Sequence, residues 1–471
     1  MADVVVIGGG VVGLSTAMLL GSDGHEVTLL ERDPAPPPDT PDALWESWER
    51  KGVNQFRMLH CFLPRFRATL EAELPDAARS LEGFGALRSD PMAAAPESIT
   101  GVVRDCDAQF VALTARRPVV EAALGRTAAT THGVTIRRGV AIDALLPGPP
   151  VAAGIPHVVG VRTDSGEEIT ADLVVDASGR RSTLPARLDT VGARPIVEEL
   201  EDCGFVYYGR HFRSADGSVP PNLGPLLQHY GSVSVLTLPA DNGTWGLGII
   251  VSASDAPMRA LRDVAHWEAT WRSFPLVAHW LDGEPISHGV AIMAKIEDRH
   301  RSFVVDGEPV ATGVAAVGDA WACTNPSVGR GSTIGLLHAV ALRDLLREQA
   351  EDPVAFARAW HDATQQVAEP WYRSTLGYDR HRLGEIEALR SGAVYETADP
   401  VYAITKALEF GAMSDPDLLR AYLSVASMTA LPEEAVAAPG VFDKVLAIGD
   451  AWRDAEVPAP DRAGLLELVG A

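Results

Sequence analysis

The stretch that decides the fold is Val4-Val5-Val6-Ile7-Gly8-Gly9-Gly10-Val11-Val12-Gly13, near the N-terminus. An apolar run typical of a buried strand precedes its glycines, and the helix-like stretch 14–20 follows them. A second apolar run, 27–30, ends at Glu31, which lies 18 residues beyond Gly13. The order of strand, tight turn, helix, strand and acid is that of a dinucleotide-binding unit.

Each glycine of this turn has its own physical task in such a unit. Gly8 permits the sharp turn, Gly10 lets a pyrophosphate approach the backbone, and Gly13 lets helix and strand pack closely. The pyrophosphate then lies at a helix N-terminus, where unpaired N–H groups and the helix dipole favour an anion. Glu31 can accept hydrogen bonds from an adenosine ribose. We therefore predict dinucleotide binding here.

Length and composition narrow the class of protein. A chain of 471 residues is too long for one compact core. The formal net charge of −23 argues against nucleic acid and anionic membranes as partners. The uncharged stretch 4–22 is interrupted by glycines and lacks a basic flank, so we expect no stable membrane anchor. Four scattered cysteines without metal-binding spacing predict reduced thiols, no metal site and a cytoplasmic protein.

Changes in sequence texture predict a discontinuous domain organisation. The expected parts are a first nucleotide-binding segment at 1–190 with an insertion at 55–115, a substrate domain at 191–300, a second nucleotide-binding segment at 301–345, and a helical C-terminal region at 346–471. Alternating residues at 232–238 and 245–252 flank the turn signal Asp241-Asn242-Gly243, which predicts an antiparallel sheet. Residues 134–146 are predicted to form one strand.

Two further stretches carry chemical information. An apolar run ends at Gly318-Asp319, and residues 325–333 (Asn-Pro-Ser-Val-Gly-Arg-Gly-Ser-Thr) then lead into a helix. Such a loop can direct backbone N–H groups and a helix N-terminus at a ligand, and near a flavin ring this stabilises the anionic reduced form. The other stretch, 173–182, joins a short strand to Asp176-Ala177-Ser178-Gly179-Arg180. An ordinary strand–helix turn also explains either stretch taken alone.

Together the three stretches resemble the flavoprotein monooxygenase superfamily of para-hydroxybenzoate hydroxylase type. The local match is to the branch with epoxidases, geranylgeranyl reductases and flavin-dependent halogenases. Residues 54–60 (Asn-Gln-Phe-Arg-Met-Leu-His) and 115–121 (Ala-Arg-Arg-Pro-Val-Val-Glu) are similar to segments beside the flavin ring and the FAD phosphates. The resemblance implies an α/β fold of glutathione-reductase type: an FAD-binding Rossmann domain, an antiparallel-sheet substrate domain and helices at the C-terminus.

The resemblance also implies a set of site residues. Those expected to bind FAD are Gly8, Gly10, Val12, Gly13, Glu31, Arg32, Arg117, Val140, Ala141, Gly318, Asp319, Pro326, Gly329, Gly331, Ser332 and Thr333. Arg57 and His60 are the candidate catalytic residues through the local match. Tyr207, His211, Trp245 and Trp321 are candidates for the wall of a substrate cavity. A structural role in the core is the competing interpretation for His60 and for the aromatic residues.

The implied activity is that of an FAD-dependent monooxygenase. Through a flavin C4a-hydroperoxide it would hydroxylate or epoxidise a mostly apolar small molecule, possibly aromatic or a polyene, with O2 as co-substrate. Ser178 precedes Gly179 where the hydroxylases carry an aspartate tied to pyridine nucleotide use, so NADPH or NADH acts directly or through a separate flavin reductase. A reductase or oxidase of a lipid-like substrate is the alternative. A halogenase is disfavoured because Trp245-Gly246-Leu247-Gly248-Ile249-Ile250 lacks the second Trp and the Pro, and a flavin-binding sensor has no supporting motif.

Overall fold

The computed structural model describes residues 1–348, 352–455 and 458–471. Its strands are Asp3–Ile7 (β1), Glu26–Glu31 (β2), Leu87–Ser89 (β3), Ala112–Thr114 (β4), Val134–Arg138 (β5), Ile142–Pro147 (β6), Val158–Thr163 (β7), Glu168–Thr170 (β8), Leu173–Asp176 (β9), Val197–Asp202 (β10), Phe205–Arg213 (β11), Leu227–Tyr230 (β12), Val233–Pro239 (β13), Thr244–Ser252 (β14), Glu284–Pro285 (β15), Ala291–Met293 (β16), Glu297–Ser302 (β17), Val304–Val305 (β18), Glu308–Pro309 (β19), Val314–Ala316 (β20) and Ala322–Cys323 (β21).

The α-helices are concentrated in the first and last thirds of the chain. They are Val11–Ser22 (α1), Pro41–Glu46 (α2), Pro64–Glu73 (α3), Pro75–Gly83 (α4), Pro91–Ala94 (α5), Glu97–Thr100 (α6), Arg117–Thr130 (α7), Leu184–Thr190 (α8), Val264–Arg272 (α9), Gly331–Glu348 (α10), Pro353–Val367 (α11), Glu369–Arg390 (α12), Pro400–Gly411 (α13), Pro416–Ala426 (α14), Pro432–Val436 (α15), Val441–Ile448 (α16) and Arg462–Leu468 (α17). In the described parts of the chain, no helix is both long and apolar enough to cross a bilayer.

A five-stranded parallel sheet forms the nucleotide-binding part, in the order β20-β9-β1-β2-β5. Alternate residues of β1 pack on opposite sides: Val4 and Val6 against α1, α7 and α10, and Val5 and Ile7 against the small sheet β6-β7-β8. A parallel strand buried on both faces reads as a continuous apolar run, which is why β1 was visible in the sequence. The pairing of β20 with β9 brings distant parts of the chain into one sheet.

The structure corrects the single strand predicted at 134–146. Gly139, with φ of +72°, separates β5 of the parallel sheet from β6 of the small antiparallel sheet. A positive φ is accessible to glycine at little cost, so the chain can turn sharply there. The two apolar runs merge in the sequence because only one glycine lies between them.

The antiparallel sheet of the middle region has the order β12-β13-β14-β11-β15, with β16 also paired to β11. The predicted hairpin is present: β13 and β14 flank Asn242, whose φ is +51°. One face of the sheet packs on the α9 region with Trp267, Trp271 and Phe274. The other face reaches Met58 and Ile386, and therefore looks towards α12 and the segment near residue 58.

The C-terminal region is helical, as predicted. α12 runs for 22 residues along the middle sheet, and helices α13 to α16 form a separate apolar cluster beyond it. The predicted fold class, a Rossmann-type sheet combined with an antiparallel sheet and C-terminal helices, is confirmed.

Candidate active site

The turn between β1 and α1 leaves open space beside Gly10. A Cβ atom on Gly13 would lie 1.9 Å from the carbonyl oxygen of Gly8, and one on Gly8 would lie 2.7 Å from that of Ala177. A Cβ atom on Gly10, in contrast, would meet nothing within 4 Å in the described chain. Gly10 is the N-cap of α1 and provides no side-chain cap, so the first N–H groups of the helix are left for a ligand.

Glu31 lies at the end of β2 within a buried ionic cluster. Its Oε2 atom accepts hydrogen bonds from the Gly9 N–H (2.8 Å) and from Nη2 of Arg50 (2.7 Å), and its Oε1 atom accepts one from the Asp33 N–H (2.8 Å). Arg50 also binds Asp33 at 2.9 Å and Glu121. A carboxylate has about four acceptor positions. Glu31 therefore retains capacity for one more donor, such as a ribose hydroxyl.

Arg117, at the start of α7, is held by two partners. Its Nε donates to Glu121 (2.7 Å), and its Nη1 donates to Nε2 of His60 (3.0 Å). Since Nδ1 of His60 lies 2.9 Å from the Met58 carbonyl, it must carry the ring proton, and the imidazole is neutral. Burial and the charge of Arg117 together lower the pKa of His60 to about 3. His60 thus positions the guanidinium and has no free nitrogen for proton transfer.

The loop of residues 318–333, called the 318–333 loop below, runs from β20 to α10. Gly318 and Gly329 adopt φ values of +56° and +70°, which allow the tight path. Asp319 is enclosed, and burial raises its pKa while the guanidinium groups of Arg117 and Arg180 lower it. The buried Oγ1 of Thr333 finds no hydrogen-bond partner among the described residues. The loop therefore places the Asp319 carboxyl group beside the cations Arg117 and Arg180.

A cavity of about 450 Å³ lies between the 318–333 loop and the β1–α1 turn. Seven cationic side chains and three carboxylates line it: Arg32, Arg50, Lys51, Arg117, Arg180, Arg181 and Arg187, with Glu31, Asp33 and Asp319. The chain as a whole has 63 acidic and 40 basic residues, so this local excess of cations is opposite to the overall charge. Such a concentration of positive charge favours an anionic ligand such as a pyrophosphate. We call it the nucleotide cavity.

A second cavity, of about 1490 Å³, lies between the middle sheet, α12, α13 and α14. Its walls are mostly apolar, with Leu226, Leu236 and Leu238 among the sheet-side residues and Ile404 on α13. Leu59, Cys61, Pro326 and Gly329 line both cavities. This second space, called the large cavity below, therefore adjoins the nucleotide cavity at these four residues.

Comparisons with known proteins agree with this geometry. Residues 3–80 match the family model described as FAD dependent oxidoreductase. Over 400 residues the chain is 29% identical to Protein Rv3254 of Mycobacterium tuberculosis, covering 79% of each chain. The crystal structure of PqsL, a probable FAD-dependent monooxygenase from Pseudomonas aeruginosa, is similar with a TM-score of 0.60, 16% identity and coverage of 83% of this chain and 97% of that one.

The chain has the fold of the FAD-dependent monooxygenases. Two other solved structures share it. 2-Methyl-3-hydroxypyridine-5-carboxylic acid oxygenase has a TM-score of 0.57, 17% identity, and coverage of 84% and 99%. The Diels-Alderase PyrE3 of pyrroindomycin biosynthesis has a TM-score of 0.56, 18% identity, and coverage of 90% and 80%. The predicted superfamily resemblance is confirmed at the level of the fold.

The nucleotide cavity fits FAD. Open space at Gly10, the free N–H groups of α1 and the excess of cations suit the phosphates, and Glu31 can receive a ribose hydroxyl. Of the residues predicted to bind FAD, those that line the cavity are Gly8, Gly10, Val12, Glu31, Arg32, Arg117, Val140, Ala141, Asp319, Pro326, Gly329, Gly331 and Ser332. Gly13, Gly318 and Thr333 are outside this lining; a Cβ atom on Gly13 would meet the Gly8 oxygen, and one on Gly318 would lie 3.1 Å from the Val12 side chain.

The structure does not support a catalytic role for Arg57 and His60. Arg57 lines neither cavity, because its guanidinium donates to the carbonyl groups of Trp45 (2.7 Å) and Trp48 (2.8 Å). His60 does line the nucleotide cavity, but both ring nitrogens are used in the contacts described above. Each residue braces the segment near the expected flavin ring: Arg57 through the carbonyl groups of Trp45 and Trp48, and His60 through Met58 and Arg117.

The four predicted substrate-cavity residues lie outside the lining of both cavities. Tyr207 and His211 are buried on β11: the hydroxyl of Tyr207 donates to Oδ1 of Asn325 (2.6 Å), and His211 packs on Trp45 with ring centroids 4.6 Å apart. Burial lowers the pKa of His211 to about 3. Both side chains therefore tie the middle sheet to its neighbours.

The two tryptophans of that prediction belong to apolar cores. Trp245 donates from Nε1 to the Trp280 carbonyl (3.0 Å) on the face of the middle sheet that carries α9. Trp321 lies between the rings of His300 and His338, with centroids 5.1 and 5.2 Å away. A large aromatic residue is most often core, and these two follow that rule.

Sequence reasoning missed two groups of residues. Arg50 and Arg180 line the nucleotide cavity, but no spacing rule links them to the glycine turn. The cavity-lining face of α12, which includes Gly377, Tyr378 and Arg382, was missed because amphipathic helices of any function show the same periodicity. For Arg180, the Asp-Ala-Ser-Gly-Arg motif was a usable signal.

Proposed function

We propose that this chain is an FAD-dependent monooxygenase that hydroxylates or epoxidises a mostly apolar small molecule. The observation that carries the proposal is the wall shared by the two cavities. Leu59, Cys61, Pro326 and Gly329 line both the cation-rich nucleotide cavity and the large apolar cavity. A cofactor on one side of this wall is thereby brought next to an apolar substrate on the other.

The residues of the chain supply orientation and exclusion of water. Reduced FAD, when bound, supplies the reaction with O2 that gives oxygen insertion. The 318–333 loop and the N-terminus of α1 would hold its polar parts, and the mostly apolar walls of the large cavity would offer few hydrogen bonds to water beside the reacting end. Oxygen transfer from a flavin does not require a protein base, which agrees with the neutral, fully bonded state of His60.

The volume of the large cavity supports a bulky substrate. Ligand pockets commonly enclose about 300–1,000 Å³, and this one encloses about 1490 Å³. The similar oxygenase is named for a substrate with a single pyridine ring. We propose that the present substrate has several rings or a long chain.

Electrons come from NADPH or NADH, either directly or through a separate flavin reductase. In the sequence we find no second strand–GxGxxG–helix unit that would bind a pyridine nucleotide tightly. A direct donor would therefore dock only transiently. A reductase or oxidase acting on a lipid-like substrate would use the same two cavities. An experiment on the product distinguishes this activity from that of a monooxygenase.

The test begins with an anaerobic absorbance titration of the FAD-loaded protein with NADPH and with NADH. Bleaching of the flavin band by either nucleotide indicates a self-sufficient enzyme, and bleaching by dithionite alone indicates dependence on a reductase. The reduced protein is then mixed with ¹⁸O2 and polycyclic or long-chain candidates. Incorporation of one ¹⁸O atom supports the monooxygenase, a reduced or dehydrogenated product supports the alternative, and failure to bind FAD overturns both.

A further inference from the structure

The arginine and lysine side chains that line the large cavity differ in their ion pairing. Three of them, Arg373, Arg382 and Lys406, pair with glutamate side chains at distances of 2.6, 2.9 and 2.7 Å. Arg330 also lines this cavity, but it forms no ion pair with any residue that the structure describes. Among these cations Arg330 is therefore the one to which the described chain gives no carboxylate partner.

Arg330 belongs to the 318–333 loop, directly beside the nucleotide cavity. Its neighbours Gly329 and Gly331 line that cavity, whereas Arg330 itself lines only the large cavity. The residue is 6% exposed, so almost all of it is enclosed by protein. Arg330 therefore places a cation in the wall of the large cavity, at the end where this cavity adjoins the nucleotide cavity.

Neutral groups of α12 hold the guanidinium in place. Its Nη1 atom donates to Oγ of Ser374 (3.1 Å) and to Oγ1 of Thr375 (3.2 Å). The ring centroid of Trp371 lies 5.5 Å from Cζ of Arg330. Contact with an aromatic ring covers a face of the planar guanidinium and leaves the N–H groups at its edges free. These contacts fix the side chain, but two hydroxyl groups and an indole ring bring no negative charge to it.

The other two nitrogen atoms of this guanidinium have unused hydrogen-bond donors. Nε and Nη2 donate to no residue that the structure describes, and neither is among the fully enclosed nitrogen atoms that lack a partner. Because Arg330 lines the large cavity, these donors are open to a ligand there. The N–H of Nε and the adjacent N–H of Nη2 are parallel, which suits a bidentate bond to a carboxylate. Arg420 binds Asp107 in this way, with both distances 2.7 Å.

Asp379 on α12 acts on Arg330 at longer range and does not take the place of such a ligand. Among the described residues the two side chains form no ion pair, and Oδ1 of Asp379 accepts from Ser327 (2.7 Å). Burial raises the pKa of Asp379 to about 7, so near neutral pH this carboxyl group is partly protonated. Burial lowers the pKa of Arg330 to about 10, which still leaves the guanidinium charged. A buried cation without a counter-charge is costly unless a ligand supplies one.

We propose that Arg330 binds a carboxylate group of the substrate through Nε and Nη2, which rests on the proposed function in taking the large cavity as the substrate site. The carboxyl groups that line this cavity belong to α12, to α13 and its N-cap, and to α15: Glu385, Asp399, Glu409 and Glu433. They disfavour an acid group near those helices, so Arg330 fixes its place while the apolar part of the substrate follows the leucine side chains. The substrate class is therefore a polycyclic or long-chain carboxylic acid.

Four fluorescent probes of nearly equal size test this subsite: pyrene, 1-hydroxypyrene, 1-pyrenecarboxylate and 1-pyrenemethylamine. Each is titrated into the oxidised, FAD-loaded protein, so that the cofactor fills the nucleotide cavity and no turnover is needed. We expect 1-pyrenecarboxylate to bind about tenfold more tightly than pyrene or 1-hydroxypyrene, since hydrogen bonds between charged groups are worth at least this factor. The net charge of −23 attracts the amine instead, so a preference for the carboxylate must come from a local cation.

Two variants of Arg330 identify the cation. In Arg330→Met the carboxylate should bind no more tightly than pyrene, with the Kd of pyrene unchanged. Arg330→Lys keeps the charge but lacks the parallel donors, and its preference for the carboxylate should fall to about threefold or less. Arg373→Met is the matched control, because it removes an ion-paired guanidinium from the same cavity. It should retain the full preference.

Several results would overturn the subsite. They are equal binding of pyrene and 1-pyrenecarboxylate by the wild type, tightest binding of the amine, and an equal loss of the preference in Arg373→Met and Arg330→Met. An unchanged preference in both variants of Arg330 also overturns it. None of these results affects the test with ¹⁸O2, so the two proposals fail separately.

Discussion

The nucleotide cavity and the large cavity differ in how their properties arise from the sequence. The nucleotide cavity depends on backbone approach distances between residues that are close in the chain, such as Gly8 and Gly13. The large cavity is assembled from helices and strands that are 100 or more residues apart, such as β13 and α14. The glycine turn of the first is a local device, because a Cβ atom at Gly8 or Gly13 would meet a backbone oxygen. The large cavity is enclosed jointly by several elements, and its volume and few polar groups determine which ligand it can bind.

The largest effect on FAD binding is expected from Gly13→Ala. Its Cβ atom would lie 1.9 Å from the Gly8 oxygen, so α1 must move away from β1 and the phosphate cradle opens. We expect FAD loading, measured as the ratio of flavin to protein absorbance, to fall at least about tenfold, which corresponds to a loss of about 1.4 kcal/mol. Gly83→Ala is the control, because a Cβ atom there meets nothing within 4 Å in the described chain. Retention of full FAD loading by Gly13→Ala would contradict the role given to the turn.

Arg50→Met should have the largest effect on the free energy of unfolding. The buried guanidinium joins Glu31, Asp33 and Glu121, and its removal leaves Glu31 and Asp33 without this cation, while Glu121 keeps its ion pair with Arg117. Breaking a buried ion pair by removing one partner costs about 3–5 kcal/mol of unfolding free energy. Urea unfolding measures this loss. The control is Lys51→Met, at an exposed neighbouring position, which should change the unfolding free energy by less than about 0.5 kcal/mol. An equal loss in both variants would show that the buried ion pairs of Arg50 do not stabilise the fold.

This contrast also explains how much the sequence could predict. The run 4–13, Glu31 and the 318–333 loop identified the nucleotide site because glycine and acid spacing encode backbone geometry directly. Trp245 and Trp321, predicted for the substrate wall, pack in apolar cores, because an aromatic residue in a strand gives no sign in the sequence of the face on which it packs. Gly377 and Glu409 carried no signal, since their meaning depends on how α12, α13 and α14 pack together.

Asp379 on α12 contacts the 318–333 loop, next to both cavities, and it makes the stability of this junction depend on pH. Its Oδ1 accepts from Ser327 of the 318–333 loop, and burial raises its pKa from 3.8 to about 7. The folded state therefore keeps a proton that the unfolded chain loses above about pH 4, and wild-type stability falls as the pH rises from about 4 to about 7. Asp379→Asn lacks this proton. Its stability relative to wild type should increase across that window, by on the order of 2–4 kcal/mol.

Urea unfolding of wild type and Asp379→Asn at pH 5 and pH 8 measures the difference. The matched control is Asp362→Asn, at an exposed position on α11, which should follow the wild type at both pH values. If Asp379→Asn keeps the same stability difference at pH 5 and pH 8, the carboxyl group does not titrate as its burial requires.

Gly377→Leu should have the smallest effect on stability and the most selective effect on binding. Gly377 lies within α12 and lines the large cavity, and a Cβ atom there would meet nothing within 4 Å in the described chain. Replacing glycine inside a helix should raise the unfolding free energy by roughly 0.5–1 kcal/mol, while the new side chain occupies space meant for substrate. We expect a slightly higher Tm, full FAD loading and several-fold weaker binding of pyrene. Gly83→Leu makes the same change on α4, away from either cavity, and should leave pyrene binding unaltered. The glycine turn of the nucleotide cavity needs its glycines, whereas Gly377 in the large cavity can be replaced. If Gly377→Leu lost FAD, this distinction between the two cavities would be wrong.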